Sequence, residues 1–233
     1  MPTAAAHLPT LASGRWFAAL PPDFAQALVQ MAQLRTLVPG EALFLRGAAP
    51  CGLYAVVRGA VDISGVGGPS EGARSALLTR LEPPSWFGEI AVFDRAPRTH
   101  DAHAALPCTL LQVPQDPLLD WLSTHPAHWR ALALLLTDKL RVAFVAIEEL
   151  ALLPAPQRVA RRLVLMAEGY GQGHGGGGTR RALALSQQDL ALMLALSRQT
   201  TNRILQQLQA LGLVRVHRGT LEVLDLPGLR AFG

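Results

Sequence analysis

Ser186-Gln187-Gln188-Asp189-Leu190-Ala191-Leu192-Met193-Leu194-Ala195-Leu196-Ser197-Arg198-Gln199-Thr200-Thr201-Asn202-Arg203-Ile204-Leu205-Gln206-Gln207-Leu208-Gln209-Ala210-Leu211-Gly212 decides the fold of the C-terminal part. Its first four residues fit a helix-capping box with Asp189 in the third helical place. An apolar stretch follows at Leu190, Leu192, Met193 and Leu194, and Ala195-Leu196-Ser197 interrupts it. Ser197 can cap a second helix running from Arg198 to Leu211, with Gly212 as the residue that closes it. Two short helices joined by about three residues make a helix-turn-helix. The predicted inner face is Leu190, Leu194, Leu196, Thr201, Ile204 and Leu208, with small Ala191 where the two helices approach.

Arg198, Gln199, Asn202 and Arg203 are left on the outer face of the second helix. Arginine pairs bidentately with guanine, and glutamine or asparagine pairs with adenine. These residues occupy the first turn and a half, the part of a recognition helix that enters the major groove. Beyond them Gly212-Leu213-Val214-Arg215-Val216-His217-Arg218-Gly219-Thr220-Leu221-Glu222-Val223-Leu224 reads as a hairpin with a basic tip, a β-wing that sets Arg218 against phosphate. Ser197, Arg198, Gln199, Asn202, Arg203 and Arg218 are the candidate DNA contacts, and double-stranded DNA is the expected partner.

The charge distribution agrees. Residues 151–233 hold ten arginines against four carboxylates, and residues 1–150 hold eleven cations against thirteen carboxylates. The balances of +6 and −2 recover the formal +4 of the whole chain. A basic C-terminal third suits a polyanion. Half of the 233 residues are apolar and 16% are charged, which excludes a disordered chain and favours two domains. Two cysteines, Cys51 and Cys108, build neither a disulfide scaffold nor a C-x-x-C metal pair. The first twenty residues lack a basic flank leading into an apolar core, so no secretory signal is expected. The apolar run 131–136 is too short to span a bilayer. The expected location is the cytoplasm, with no membrane partner. No histidine–carboxylate pair, nucleophile–base pair or metal-spaced cluster is visible, so no enzyme activity is expected.

Upstream, residues 39–64 read as short strands punctuated by glycine. Glu41-Ala42-Leu43-Phe44-Leu45-Arg46 ends at Gly47, Gly52-Leu53-Tyr54-Ala55-Val56-Val57-Arg58 ends at Gly59, and Val61-Asp62-Ile63-Ser64 follows. Further strands are predicted over 77–81 and 106–113. This spacing indicates an antiparallel β-roll. After Asp116-Pro117 the period changes. Trp129, Ala133, Leu136, Leu140, Ala143, Ile147 and Leu150 recur at alternating spacings of four and three. One long helix with a narrow apolar seam follows; the seam suits either a core helix packed on the roll or pairing with a second copy, and a homodimer is the expectation. Pro154 and Pro156 end that helix, and Gln157 begins another. Between Gly169 and Gly178 seven of ten residues are glycine, read as a mobile surface loop. The predicted fold is α+β, with a roll and N-terminal helical segment over 1–115, a dimerisation helix over 116–153 and a winged helix-turn-helix over 154–233.

Trp86-Phe87-Gly88-Glu89-Ile90 leads to Pro97-Arg98-Thr99-His100. Amides near Gly88, the Arg98 guanidinium and the Thr99 hydroxyl can hold a phosphate, while Glu89 accepts from a sugar hydroxyl. The alternative is a structural Arg98–Glu89 ion pair inside the roll.

With the roll, this cassette, the long helix and the winged motif, the chain from about residue 21 onward resembles the Crp/Fnr family of bacterial transcription regulators. The resemblance implies a homodimer with a cyclic-nucleotide-binding-like double-stranded β-helix, whose effector brings two recognition helices into register on a palindromic operator. It implies phosphate contacts at Gly88, Glu89, Arg98 and Thr99, and base readers at Arg198, Gln199 and Arg203. It leaves RNA polymerase as a further partner. Cyclic-AMP receptors of the family supply hydroxyls to adenine from the central helix, and the matching Ala143 and Phe144 have none to give. His100 stands where a small residue usually follows the phosphate hydroxyl. Phe144 and His100 join the candidate effector contacts, and these departures weigh against cyclic AMP. The cysteine count weighs against an iron–sulfur cluster, and no histidine spacing singles out a haem ligand.

Overall fold

The computed structural model describes residues 3–66, 75–170 and 182–233, so most of the glycine-rich stretch lies outside them. In chain order the elements begin with helices α1 (Leu8–Ala12), α2 (Arg15–Ala18) and α3 (Pro22–Met31). Strands β1 (Gln33–Leu37), β2 (Ala42–Phe44), β3 (Leu53–Arg58), β4 (Val61–Val66), β5 (Ser75–Leu81) and β6 (Trp86–Phe87) come next. Helix α4 (Glu89–Asp94), strands β7 (Asp101–Ala104) and β8 (Cys108–Val113) and helices α5 (Gln115–Thr124) and α6 (Trp129–Leu152) follow. The C-terminal part contains α7 (Ala155–Ala167), β9 (Ala182–Leu183), α8 (Gln187–Met193), α9 (Arg198–Ala210), β10 (Val214–His217), β11 (Thr220–Val223) and α10 (Leu226–Phe232).

Two four-stranded sheets, ordered β1-β8-β3-β6 and β2-β7-β4-β5, form the roll, and all their pairings are antiparallel. Strand β3 is apolar almost throughout, because its side chains face cores on both sides. The N-terminal helices close one end around Trp86, which is 1% exposed and stacks on Phe17 with Trp16 edge-on. Gly52 and Gly59 turn the chain at φ +113° and +79°. A Cβ at Gly52 would fall 2.0 Å from the Val113 carbonyl oxygen, so this corner admits only glycine.

The helical stretch 116–153 divides in the structure. His125 leaves the helical region at φ −129°, ψ 58°, and a 3₁₀ turn over Pro126–His128 separates α5 from α6. Pro126 has no N–H to continue α5. The 24-residue α6 is then continuous to Leu152. The apolar side chains of α6 go two ways, and the two that bury deepest, Leu132 and Leu135, lie off the expected seam. In the first half of α6, Leu132 and Leu135 sink completely into the roll core beside half-buried Trp129 and Ala131. Truncating either leucine to alanine costs about 2–5 kcal/mol. In the second half, Leu140, Phe144, Ile147, Leu150 and Leu152 are 52–71% exposed.

The C-terminal part has its own core, centred on Leu163, Leu190, Ile204, Leu205 and Leu208. Leu77 of β5 belongs to that core, so the winged domain is docked on the β4–β5 hairpin. Arg80 fastens the contact. It donates from Nε and Nη2 to Asp62, at 2.7 and 2.8 Å, and from Nη1 to the Ala184 carbonyl at 2.5 Å. The same Nη1 lies 3.3 Å from Asp189. Arg162 of α7 donates to the Leu78 carbonyl.

Candidate nucleic-acid interface and effector pocket

Helices α8 and α9 begin where the capping residues require. The Ser186 hydroxyl accepts from the Asp189 amide while the Asp189 carboxylate accepts from the Ser186 amide. Ser197 accepts from the Thr200 amide at 3.0 Å, and Gly212 reverses the chain at φ +73°. Between the helices Ala195 takes φ +52°. Leu190, Leu194, Thr201, Ile204 and Leu208 are buried, and Leu196 is half-buried against them. The Thr201 hydroxyl donates to the Ser197 carbonyl, which is how a hydroxyl survives at 0% exposure.

Arg198, Gln199, Asn202 and Arg203 are exposed on the opposite face of α9, with Ser197 beside them at the cap. Gln206 shares this face at helical spacing and is also exposed; the sequence reading stopped one turn short of it. Helix α9 contains no carboxylate, and Arg198, Arg203 and Arg218 enter no ion pair among the described residues. Strands β10 and β11 pair in register from Val214↔Val223 to His217↔Thr220, and β9 adds a third strand. The Gln209 side chain accepts from the Val216 amide at 2.9 Å, locking the wing to the recognition helix. Arg218 and Gly219 form the exposed tip, where Gly219 takes φ +76°.

The second site lies inside the roll. Gly88 adopts φ +97° to start α4, and a Cβ there would fall 2.8 Å from the Gly52 carbonyl oxygen and 3.0 Å from Arg98 Nη1. Both the conformation and the space demand glycine. Arg98 is 5% exposed. It donates to the carbonyls of Gly88 (3.1 Å) and Gly52 (2.6 Å) and to Cys51 Sγ (3.1 Å), and its guanidinium carbon lies 4.4 Å above the Phe44 ring. Its Nε has no partner. Among the described residues no carboxylate meets it: Glu89, also buried, pairs with Lys139 of α6 at 2.5 Å. The alternative Arg98–Glu89 ion pair is therefore not formed, because Lys139 reaches Glu89 from above the roll. A sealed guanidinium without a counter-charge is costly and is relieved by a bound anion.

Gly88, Glu89, Arg98, Thr99 and His100 all line one cavity of about 440 Å³ between the roll and α6. Thr99 Oγ1 lies 2.9 Å from His100 Nδ1. Burial first, and then the nearby Arg46 charge, hold the His100 imidazole below its ordinary pKa. Burial, with the thiol of Cys51 it donates to, pushes the Tyr54 phenol up, so it stands behind Arg98 as a neutral ring. Ala143 lines the cavity beside Val142 and Ala146, whereas Phe144 turns away and is 62% exposed. Phe144 thus leaves the effector site of its own chain and joins the exposed stripe of α6. The structure adds Lys139 and Thr79. Thr79, on β5, lines the cavity with its hydroxyl buried and without a partner. Burial pushes the Cys108 thiol up and leaves it inert. Among the described residues no group of three metal-ligating side chains exists, and no helix is long and apolar enough to cross a membrane.

A β-roll with a cavity beside a buried arginine, joined by a long helix to a winged helix-turn-helix, defines a DNA-binding protein with a ligand-binding-like domain. Residues 34–125 match the cyclic nucleotide-binding domain family and residues 157–232 the Crp-like helix-turn-helix domain family. The chain is 28% identical over 215 residues to the CRP-like cAMP-activated global transcriptional regulator of Mycobacterium tuberculosis, covering 92% of this chain and 94% of that protein. It is 29% identical over 220 residues to the cyclic AMP receptor protein of Thermus thermophilus, covering 93% and 96%. A solved Crp/Fnr-family transcriptional regulator from the same organism superposes with a TM-score of 0.65 at 25% identity, over 86% of this chain and 97% of that one. The chain belongs to the Crp/Fnr family of transcriptional regulators. It is a DNA-binding regulator with a cyclic-nucleotide-binding-like domain.

Proposed function

We propose that the protein is a homodimeric, cytoplasmic regulator whose roll binds a cyclic nucleotide, with cyclic AMP as the first ligand to test. The observation that carries the reading is Arg98: a buried guanidinium with an unpartnered Nε and no carboxylate, facing the amide end of α4. A phosphate supplies the missing charge. Glu89 stands one residue beyond Gly88 for the ribose hydroxyl, and the orphaned Thr79 hydroxyl offers the base a partner that Ala143 cannot. The names of the Mycobacterium and Thermus relatives point to the same ligand.

The exposed stripe from Leu140 to Leu152 supports pairing with a second copy, since so continuous an apolar face is rare on a monomer. Two-fold pairing along α6 sets two recognition helices against half-sites about one DNA turn apart, hence a palindromic operator. From there the protein acts on transcription through its placement relative to RNA polymerase.

Calorimetric titration with cyclic AMP tests the ligand, with Arg98→Ala as control. Micromolar binding lost in the control is the expected result, and absence of heat with the wild type overturns the cyclic-AMP reading. Selection of duplexes from a random pool tests the operator, and a consensus without two-fold symmetry would refute the dimeric arrangement.

A further inference from the structure

The effector cavity has a wall that the roll and α6 do not supply. Arg162 and Leu165 of α7, Tyr170 just beyond it, and Met193 of α8 line the same space as Arg98 and Thr99. All four belong to the winged domain. Tyr170 stands at φ +54°, a backbone region uncommon for a bulky residue, and the turn holds its ring half-buried against the C-terminal core. Its hydroxyl is buried and makes no hydrogen bond among the described residues. A buried hydroxyl without a partner is unfavourable, and Tyr170 lines a cavity that is also lined by Thr79, whose hydroxyl is likewise buried and unpartnered.

We infer that the effector is shared between the two domains of one chain: the Tyr170 hydroxyl hydrogen-bonds the polar edge of the nucleotide base while the roll holds the phosphate. This rests on the cyclic-nucleotide reading above. Tyrosine can donate to a ring nitrogen or accept from an amino group, and either suits a purine edge. The contact also supplies what allosteric control requires. A ligand shifts an equilibrium only by its differential affinity for the two states. A ligand that touches only the roll and α6 must act on the winged domain through intervening structure. A ligand bonded to Tyr170 binds more tightly when the winged domain is docked as seen here. By reciprocity, whatever operator DNA does to that docking changes ligand affinity by the same factor.

Tyr170→Phe removes only the oxygen. The ligand-free variant should melt no lower than wild type, because the lost hydroxyl had no partner. Cyclic AMP should bind about three- to tenfold more weakly, the worth of one hydrogen bond. The ratio of cyclic-AMP affinities measured with and without selected operator duplex should move toward one. Thr79→Val, on the roll side, should weaken binding while leaving that ratio unchanged. Wild-type cyclic-AMP affinity and an unaltered ratio in Tyr170→Phe, with Arg98→Ala inactive, would overturn this inference and leave the nucleotide reading intact. A lower ligand-free melting temperature in Tyr170→Phe would also overturn it, by showing that the hydroxyl serves the fold. If wild-type protein binds no cyclic AMP yet still discriminates operators, with Arg203→Ala losing that discrimination, both the nucleotide reading and this inference fall, and DNA binding stands.

Discussion

Arg98 and Arg203 are the two arginines we propose to meet a partner from outside the chain, and they stand in opposite conditions. Arg98 is sealed in the roll, already stripped of water, held against two carbonyls and an aromatic ring. Arg203 stands in solvent on α9, without an ion pair among the described residues. The desolvation of Arg98 is met during folding, so one compact anion meets a prepared, low-dielectric charge. The hydration of Arg203 is surrendered only at the DNA surface, where released counterions offset it. The first arrangement favours selective, high-gain recognition of a small ligand. The second leaves the recognition face soluble and sensitive to salt.

The largest effect expected from this contrast is at Arg98. Arg98→Met keeps much of the volume and removes the charge, and should weaken cyclic-AMP binding by at least about 100-fold, as expected for one partner of a buried charge pair. The ligand-free melting temperature should change little, because the lost bonds to Gly88 and Gly52 are offset by relief of an unpaired buried cation. Calorimetry and thermal melts check both halves. A loss of only a few-fold would mean that the phosphate does not sit on Arg98.

Arg203→Ala should lower specific DNA affinity by about 1–3 kcal/mol and relax the preference at one guanine. Its companion Arg218→Ala, at the wing tip, should weaken every duplex alike and reduce the salt slope by about one. Fluorescence anisotropy on matched and single-mismatch duplexes over a salt series separates these outcomes. A uniform loss for Arg203→Ala would move it from base reading to phosphate holding and blur the difference between the two residues.

The two sites were unequally legible in the sequence. The winged motif is local: Ser186, Asp189, Ser197 and Gly212 mark helix ends by chemistry that acts within four residues, and the apolar period between them gives the buried face. The roll depends on pairing between distant strands. Strands β2 to β5 and β8 showed themselves by β-branched or aromatic runs and glycine turns. Two-residue β6, β1 and the Asp101-Ala102-His103-Ala104 strand carry too few apolar side chains to announce a period. The pocket was half legible. Gly88, Glu89, Arg98 and Thr99 are close in sequence, whereas Thr79, Lys139 and Tyr170 arrive from β5, α6 and the end of α7. Two signals were available: Lys139 is the chain's single lysine, and Thr79 is a hydroxyl beside Leu77-Leu78. Phe144 entered the candidate site through the family resemblance, and only the packing of Leu132 and Leu135 fixes how the helix is turned, with Phe144 pointing away from its own chain's cavity.

The smallest effect belongs to His100, and it tests whether the cavity receives negative charge at all. Burial and Arg46 hold its pKa below 6.5 in the ligand-free protein. The unfolded chain therefore binds a proton that folded His100 refuses, and stability falls as pH drops through 6.5 toward the lowered value. A phosphate beside Thr99 acts in the opposite direction and raises the imidazole pKa. Binding then takes up a proton, so cyclic-AMP affinity should increase as pH falls through the same window. His100→Gln should flatten both slopes while keeping most of the affinity at neutral pH. Calorimetry in buffers of different ionisation enthalpy reads the proton directly. Proton release on binding, in place of uptake, would place the ligand's anion away from His100 and Thr99.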